Sequence, residues 1–94
     1  MSKAPVAKAT GKRVKAYVLI ETAAGKAKVV KKALSKIRSG PSAMVHLDGI
    51  TGPFDFIAIV EGPSLDAVGR LVTDGIGTID GVTRTTTCIA VSIG

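Results

Sequence analysis

The sequence predicts an α+β domain whose strands and helices follow one another in the order βαββαβ. Three observations support this prediction. Four segments are rich in Val, Ile or Thr, two segments between them repeat their apolar residues at helical spacing, and Gly or Pro marks most junctions. A chain of 94 residues can form one small domain. We therefore expect one four-stranded antiparallel sheet with both helices on the same face.

The first half of this domain is predicted to be a strand, a helix and a second strand. The strand covers Val14–Thr22, which is apolar nearly throughout, as in strands buried on both faces. The helix covers Lys26–Ser39 and ends before Gly40-Pro41. Its apolar residues recur at helical spacing and should be buried: Val29, Val30, Ala33, Leu34 and Ile37.

Two further patterns in this half predict which side chains share a helix face or a strand face. Three lysines, one turn apart in the helix, form a stripe that faces acidic groups or only water: Lys28, Lys32 and Lys36. The second strand is predicted over Ala43–Ile50. Its alternation places Val45 and Leu47 on one side, and on the other side Met44, His46 and Asp48.

The second half is predicted to be a strand, a helix and a last strand. A Thr51-Gly52-Pro53 turn leads by a hairpin into a strand over Phe54–Glu61, and Ser64 is a plausible N-cap of the following helix. That helix has a stripe expected to be buried, Leu65, Val68, Val72 and Ile76. Gly69 inside it indicates close packing, because Gly weakens a helix. The last strand covers Val82–Ile93. The whole order is ferredoxin-like.

Both faces of the predicted sheet are apolar, which indicates self-association. In the third strand, one alternating set is Phe54, Phe56, Ala58 and Val60, and the other contains Ile57 and Ile59. One layer of helices covers only one face, and a large exposed apolar patch implies a partner. We expect a symmetric homodimer that packs sheet against sheet.

Composition and charge exclude several classes of protein. Hydrophobic residues make up 46% of the chain but aromatic residues only 3%, so aliphatic side chains must fill the core. Cys88 is the single cysteine, which excludes an intramolecular disulfide framework and a cysteine-based zinc site. Neither an apolar run of about 18 residues nor a signal-peptide pattern is present, and we expect a cytoplasmic protein without a membrane span.

The net charge of +6 is concentrated at the N-terminus. Residues 1–13 contain Lys3, Lys8, Lys12 and Arg13 and no acidic residue. We expect a flexible basic tail over 1–13 and the folded domain over 14–94. A basic tail can contact nucleic acid, and a tail that is only solvated is the alternative.

Few residues are candidates for chemistry. His46 is the only histidine, and Asp48 lies on the same face of its strand, so the pair could serve in acid–base catalysis or be ordinary polar residues of an edge strand. Cys88 is predicted to be a small buried hydrophobe. Because a triad or a metal cluster would need further partners, no catalytic residue, metal or cofactor is predicted.

The hairpin and the last strand offer a more specific candidate site. Asp55 follows a Gly-Pro turn, where its carboxylate can accept hydrogen bonds from a ligand ammonium group or can tie down its own turn. The last strand contains a run of hydroxyls at Thr83, Thr85, Thr86 and Thr87, which suits a polar ligand, although Thr is also favoured in strands for its shape.

These segments resemble one protein family. Residues 50–56, I-T-G-P-F-D-F, resemble the V-T-G-x-[YF]-D-[YF] hairpin of the ligand-binding (RAM) domain of the leucine- and asparagine-responsive Lrp/AsnC regulators. Residues 81–89, G-V-T-R-T-T-T-C-I, are similar to that family's G-V-x-R-T-x-T-x-I strand. Residues 16–22 and Gly25 also fit, so the resemblance covers residues 14–93.

The resemblance implies a non-enzymatic amino-acid-binding module that regulates transcription. It implies dimers that form a dimeric α/β barrel and assemble into larger rings, often octamers, with amino acids bound between dimers. Carried onto this chain, the ligand site comprises Thr51, Gly52, Phe54 and Asp55, with Thr85 and Thr87 opposite. Turn amides would hold the ligand carboxylate, and Asp55 or a hydroxyl its ammonium group. Pro53 stands where the family usually has a residue with an N–H group.

The resemblance also suggests what the chain lacks. Full regulators carry an N-terminal helix-turn-helix, and we expect the short tail to be unable to form one. The expected role is therefore a stand-alone sensing domain, without direct sequence-specific DNA binding, that can form hetero-oligomers with full-length regulators. The alternative is a small dimeric α/β-barrel enzyme, such as a monooxygenase or an isomerase, with His46 or Asp48 in a polar pocket between sheet and helices.

Overall fold

The computed structural model describes residues 13–93, apart from the side chains of residues 38 and 39. Its elements are β1 (Val14–Thr22), α1 (Ala27–Leu34), β2 (Arg38–Ser39), β3 (Ser42–Gly49), β4 (Phe56–Gly62), α2 (Leu65–Arg70) and β5 (Val82–Ile89). After α2 the chain continues through a π-helical turn, Leu71–Gly75, and a 3-10 turn, Ile76–Thr78. The predicted tail over 1–13 lies outside the described residues except for Arg13.

The strands form one antiparallel sheet in the order β2-β3-β4-β1-β5. Four long strands and two helices confirm the predicted βαββαβ fold, and the two-residue β2 is a small addition at one edge. β1 and β4 lie in the centre, so their side chains supply most of the core. β5 lies at the other edge, where it pairs with β1.

The core lies between the helices and one face of the sheet, here called the helix face. Three cross-strand pairs of β1 and β4 share this face: Ala16–Val60, Val18–Ala58 and Ile20–Phe56. Side chains from both helical segments cover them, and the core is completed by Val30, Leu34, Val68, Leu71, Val72 and Ile76. Alternation along the strands thus selects small and β-branched residues for one continuous apolar layer.

The opposite face of the sheet, here called the outer face, is not covered by the helices of residues 13–93. At its centre two apolar pairs connect β1 to β4, Tyr17–Ile59 and Leu19–Ile57. All four side chains are only half-buried. Charged and polar groups surround this centre: Lys15, Glu21, His46, Asp48, Glu61 and Arg84.

A β-bulge in β3 corrects the predicted alternation. Met44 pairs with Val60 and His46 with Ile59, so the register skips Val45. A bulge places one extra residue in a strand and reverses the alternation beyond it. Leu47 therefore lies on the helix face with Met44, whereas Val45 is 54% exposed, and the predicted Val45–Leu47 side is wrong.

The first helix is shorter than predicted. It ends at Leu34, after which the amides of Lys36 and Ile37 bond to carbonyls three residues back, at Ala33 and Leu34. This tighter turn ends the helix, and residues 38–39 instead pair with residues 42–43. Val29 is 54% exposed rather than buried, because it is about 100° round the helix from Val30.

The second helix has the predicted cap and most of the predicted buried stripe. The Ser64 hydroxyl accepts a hydrogen bond of 3.1 Å from the Ala67 amide. Val68, Val72 and Ile76 are buried as expected, but Leu65 is 60% exposed. Helical side chains tilt towards the N-terminus, so the side chain of a first helical residue extends past the element.

Three smaller expectations also fail. A Cβ added to Gly69 would have no heavy atom within 4 Å outside its own helix backbone, so this glycine does not mark close packing. β5 ends at Ile89 instead of Ile93; its paired register with β1 ends at Ala16, after which the Ala90 amide donates to the Lys15 carbonyl over 2.8 Å. Cys88 is exposed rather than buried, since it lies on the outer face of an edge strand.

Gly62→Ala should destabilise the domain. The new Cβ would collide with the Ser42 hydroxyl and lie 3.1 Å from Val68 Cγ2, both in the packed interior. Such overpacking costs about 1–3 kcal/mol. In a domain of this size, thermal denaturation should show a Tm lower by about 4–8 °C for each kcal/mol.

Gly69→Ala is the matched control, because its Cβ meets open space. It should raise the free energy of unfolding by about 1 kcal/mol through helix propensity. Equal effects of the two substitutions would contradict the packing described for Gly62.

Candidate functional site

The β3–β4 hairpin, the end of β1 and the start of β5 meet at one rim of the sheet. Because β1 runs antiparallel to both β4 and β5, its last residues lie beside the first residues of its two neighbours. The rim therefore combines the Thr51–Asp55 loop with Glu21, Thr22 and residues 82–85. This juxtaposition follows from topology and does not depend on sequence proximity.

Backbone geometry shapes the hairpin loop. The Ile50 amide donates to the Asp55 carbonyl over 2.9 Å and closes the loop. Gly52 has φ of +109°, a conformation that residues with a side chain rarely adopt. Thr51, Gly52 and Pro53 are exposed, so the amides of Thr51 and Gly52 lie at the surface of the protein. Pro53 contributes no amide donor.

Asp55 fastens the hairpin to the end of β1. Its amide donates to the Ile20 carbonyl over 2.8 Å. Its carboxylate Oδ2 accepts hydrogen bonds from the Thr22 amide at 2.7 Å and from the Thr22 hydroxyl at 3.0 Å. The expected alternative that this carboxylate ties down its own turn is wrong, because the carboxylate binds the end of β1.

One carboxylate oxygen of Asp55 keeps its capacity to accept a donor. Both described side-chain bonds end on Oδ2, and within residues 13–93 no bond to Oδ1 is found. Asp55 is half-buried, and Oδ1 is not among the buried polar atoms that lack a partner. A carboxylate held through one oxygen is oriented, so its other oxygen can accept from an ammonium group.

Arg84 connects the hairpin to the start of β5. Its Nε lies 3.4 Å from Glu21 Oε1, and its guanidinium carbon lies 5.4 Å from the centre of the Phe54 ring. The Thr83 hydroxyl donates to the Glu21 carbonyl over 3.2 Å. The rim thus has a cationic group stacked on an aromatic ring, beside a carboxylate that balances its charge.

Thr85 and Thr87 occupy different depths of the sheet. Thr85 pairs with Ile20 and is half-buried, whereas Thr87 pairs with Val18 and is exposed. Thr85 lines a surface cavity of about 200 Å³ together with Gly77, Val82, Thr83 and Arg84. β1 separates β5 from the hairpin, so Thr85 and Asp55 are about 10 Å apart, and Thr87 is farther along β5.

The predicted site residues are therefore only partly brought together. Thr51, Gly52, Phe54 and Asp55 share the hairpin, Thr85 lies at the same rim across β1, and Thr87 lies away from it. Sequence reasoning missed the roles of Glu21, Thr22 and Arg84. All three occur within the segments that carried the family resemblance, but only the strand register shows that they meet.

The other candidate pair lies elsewhere. His46 Nε2 is 2.7 Å from Asp48 Oδ2, and both side chains are more than half exposed on the outer face. Within residues 13–93, no group of three or more His, Cys, Asp or Glu side chains could hold a metal ion. The helices of this described part are too short or too polar to cross a bilayer.

Comparison with known proteins identifies a matching family. The sequence model of the Lrp/AsnC ligand binding domain matches residues 15–93, which is most of the chain. A search of curated proteins finds no match.

Solved structures with the same fold are numerous. The protein TTHA0845 from Thermus thermophilus is 26% identical with a TM-score of 0.75, and the match covers 86% of this chain and 96% of that one. FFRP-DM1 is 28% identical with a TM-score of 0.73, over 83% of this chain and 99% of that one. The transcriptional regulator NMB0573 from Neisseria meningitidis, solved as an L-Met complex, has a TM-score of 0.71. At 15% identity, over 84% of this chain and 50% of that one, it shows a common fold.

Asp55→Ala should loosen the hairpin from β1. The substitution leaves the Thr22 amide and hydroxyl without their acceptor, and hydrogen bonds to charged groups contribute about 1.5–3 kcal/mol each. Since the carboxylate is half-buried, we expect a total loss near the lower bound of that range, measured by urea denaturation.

Thr22→Val removes the hydroxyl bond but keeps the amide bond, and should cost about 0.5–1.5 kcal/mol. The double variant should lose less than the sum of the single losses, because both remove the same contact. Strict additivity would contradict the bonding described between Asp55 and Thr22.

Proposed function

Because the chain belongs to the family of Lrp/AsnC ligand-binding domains, we propose that it is a non-enzymatic amino-acid-binding regulatory module. The observation that carries the proposal is the rim of the sheet. There an oriented carboxylate, an exposed turn and an arginine stacked on an aromatic ring occur together at the same end of the strands. The Neisseria meningitidis regulator solved with L-Met supports an amino acid as the class of ligand.

Each group of the rim has a role in this proposal. Oδ1 of Asp55 accepts from the ligand ammonium group, since Oδ2 is already bound to Thr22. The exposed amides of Thr51 and Gly52 donate to the ligand carboxylate. The ring of Phe54 and the half-buried Thr85 border the space for the ligand side chain. Thr87 belongs to the same proposal only if a second protomer approaches it.

The outer face supports the proposed self-association. Its centre holds Tyr17, Leu19, Ile57 and Ile59, and its periphery carries charged and polar groups in pairs: Glu21–Arg84, His46–Asp48 and Arg13–Glu61. An apolar centre within a polar rim is the usual anatomy of a protein interface. A second copy packed on this face gives a dimeric α/β barrel, and association of dimers would give an octamer or similar ring.

A dimer of this kind leaves the rim open to a neighbouring dimer. The hairpin loop lies at the end of β3 and β4 and is exposed at Thr51, Gly52 and Pro53, so groups from another protomer can complete the ligand site. Ligand binding and assembly would then be coupled, because each protomer supplies only part of the site. In this proposal transcription is modulated through partners, including hetero-oligomers with full-length regulators, and without sequence-specific DNA recognition by this domain.

The interior of the domain favours this function over the enzymatic alternative. An enzyme of the dimeric α/β-barrel type needs polar groups between sheet and helices. Among the described residues, the buried side chains there are apolar except for Ser42. His46 and Asp48, the expected acid–base pair, lie on the outer face. The rim therefore offers the better supported site.

A thermal-shift screen against the twenty amino acids tests the ligand. A true ligand at about 100 times its Kd should stabilise the protein by about 2.7 kcal/mol. Asp55→Asn should abolish the shift, because its amide can still accept from Thr22 but lacks the charge that an ammonium group needs. Thr22→Val, which keeps the carboxylate, should retain it. No shift with any amino acid would reject the proposal.

Light scattering at micromolar concentration tests the assembly. Wild-type protein should have the mass of a dimer or a larger oligomer, and Ile59→Glu should give a monomer, because it puts a charge at the centre of the outer face. Leu65→Glu is the control, since that residue is 60% exposed on the helix side. A monomeric wild type, or dissociation by both variants, would contradict the proposed interface.

A further inference from the structure

The exposed side of α1, together with the turn that follows it, is a concentrated positive surface. Four lysines form it, here called the α1 lysine face: Lys28, Lys31, Lys32 and Lys36. All four are exposed, whereas Val30 and Leu34 on the opposite side of the helix are fully buried. The stripe predicted from the sequence is thus a real surface, and the helix is held in place by its apolar side.

Among the described residues, no acidic side chain balances this face. The carboxylates of residues 13–93 that form ion pairs have other partners, and none lies within 4.0 Å of these four lysines. Lys26, just before the helix, is the nearest basic residue with an acidic partner, Asp80. Like charges one turn apart disfavour a helix. Repulsion among these lysines therefore destabilises the helix, and an anionic partner would reduce that repulsion.

The chemistry of the face argues against a protein or a membrane as its partner. Protein interfaces centre on aromatic and apolar anchors and are depleted in lysine, yet this face has only Val29 beside the charges. A helix that enters a bilayer surface needs a free apolar side, and here that side is packed in the core. A linear polyanion is the remaining class of partner that fits the charge of this face.

Nucleic acid has the spacing that the face requires. Lys28 and Lys32 lie one turn apart in α1, about 6 Å along its axis, and Lys36 follows in the turn after the helix ends at Leu34. Over about 6 Å of its axis, duplex DNA presents about three to four phosphates. Lysines contact phosphates as point charges, and the exposed face carries no Arg, Asn or Gln to read base edges.

We propose that the α1 lysine face binds the phosphate backbone of nucleic acid without sequence preference, with up to four phosphates neutralised for each protomer. The site is distinct from the proposed amino-acid site, because none of its four lysines belongs to the hairpin rim. It also remains free when a second copy covers the outer face, since α1 packs on the opposite side of the sheet. Each protomer of an oligomer would then add one such surface.

Fluorescence anisotropy with a labelled DNA duplex of arbitrary sequence tests the site. The full chain is compared with the Lys28→Gln, Lys32→Gln, Lys36→Gln triple variant. The slope of log K against log salt should fall by about 2.7, which is three contacts at about 0.9 each. Raising the salt from about 50 to about 200 mM should therefore weaken wild-type binding about 40-fold more than binding by the variant.

Two matched variants distinguish binding by the α1 lysine face from an effect of total positive charge. The triple Lys→Arg variant at the same positions should bind as the wild type does. A Lys3→Gln, Lys8→Gln, Lys12→Gln variant removes the same charge from the N-terminal segment and should keep the contribution of α1 to the slope. Circular dichroism should show the same fold for all variants, because Gln is a good helix former.

Three outcomes would overturn the proposal. The Lys→Gln variant of α1 could bind DNA with the affinity and salt slope of the wild type. Binding could disappear only when the N-terminal lysines are neutralised. A polyglutamate peptide could bind to the wild type as tightly as the duplex at the same salt, which would instead assign the face to an acidic protein segment.

Discussion

The contact between the Asp55 carboxylate and Thr22 is the interaction on which the geometry of the hairpin rim depends. It joins the β3–β4 hairpin to the last residue of the central strand, and so fixes the loop amides relative to β5. A short loop with a glycine at positive φ would otherwise be free to move. The bond uses one oxygen of the carboxylate, so the same residue can serve the structure and a ligand.

A second constraint acts on the whole sheet. One layer of helices cannot cover two apolar faces, so the outer face is left with Tyr17, Leu19, Ile57 and Ile59 only partly shielded. Around the outer face several charged residues form pairs, whereas among the described residues the four lysines of the α1 lysine face have no acidic partner within 4.0 Å. The first surface is the one proposed to bind a copy of the chain, and the second is the one proposed to bind a polyanion.

The sequence predicts this fold well where local pattern and tertiary context agree. β1 has the predicted bounds, and the Ser64 cap is formed as expected. Prediction failed at Val45 and Cys88, because a bulge and the position at the sheet edge are set by neighbouring strands. At the candidate site the hairpin residues were predicted, but Glu21, Thr22 and Arg84 were missed. Their contacts depend on the register of β1 against β4 and β5, which no local pattern contains.

The bulge at Val45 affects whether another chain can pair with the β3 edge of the sheet. Within residues 13–93, β3 has no partner on its outer edge beyond Ala43, because β2 covers only its first two residues. A regular edge strand presents a row of free amides and carbonyls on which another chain can add. The bulge interrupts that row and twists the strand. This edge of the sheet is therefore a poor template for the addition of further strands, so open-ended fibre growth is disfavoured at this side.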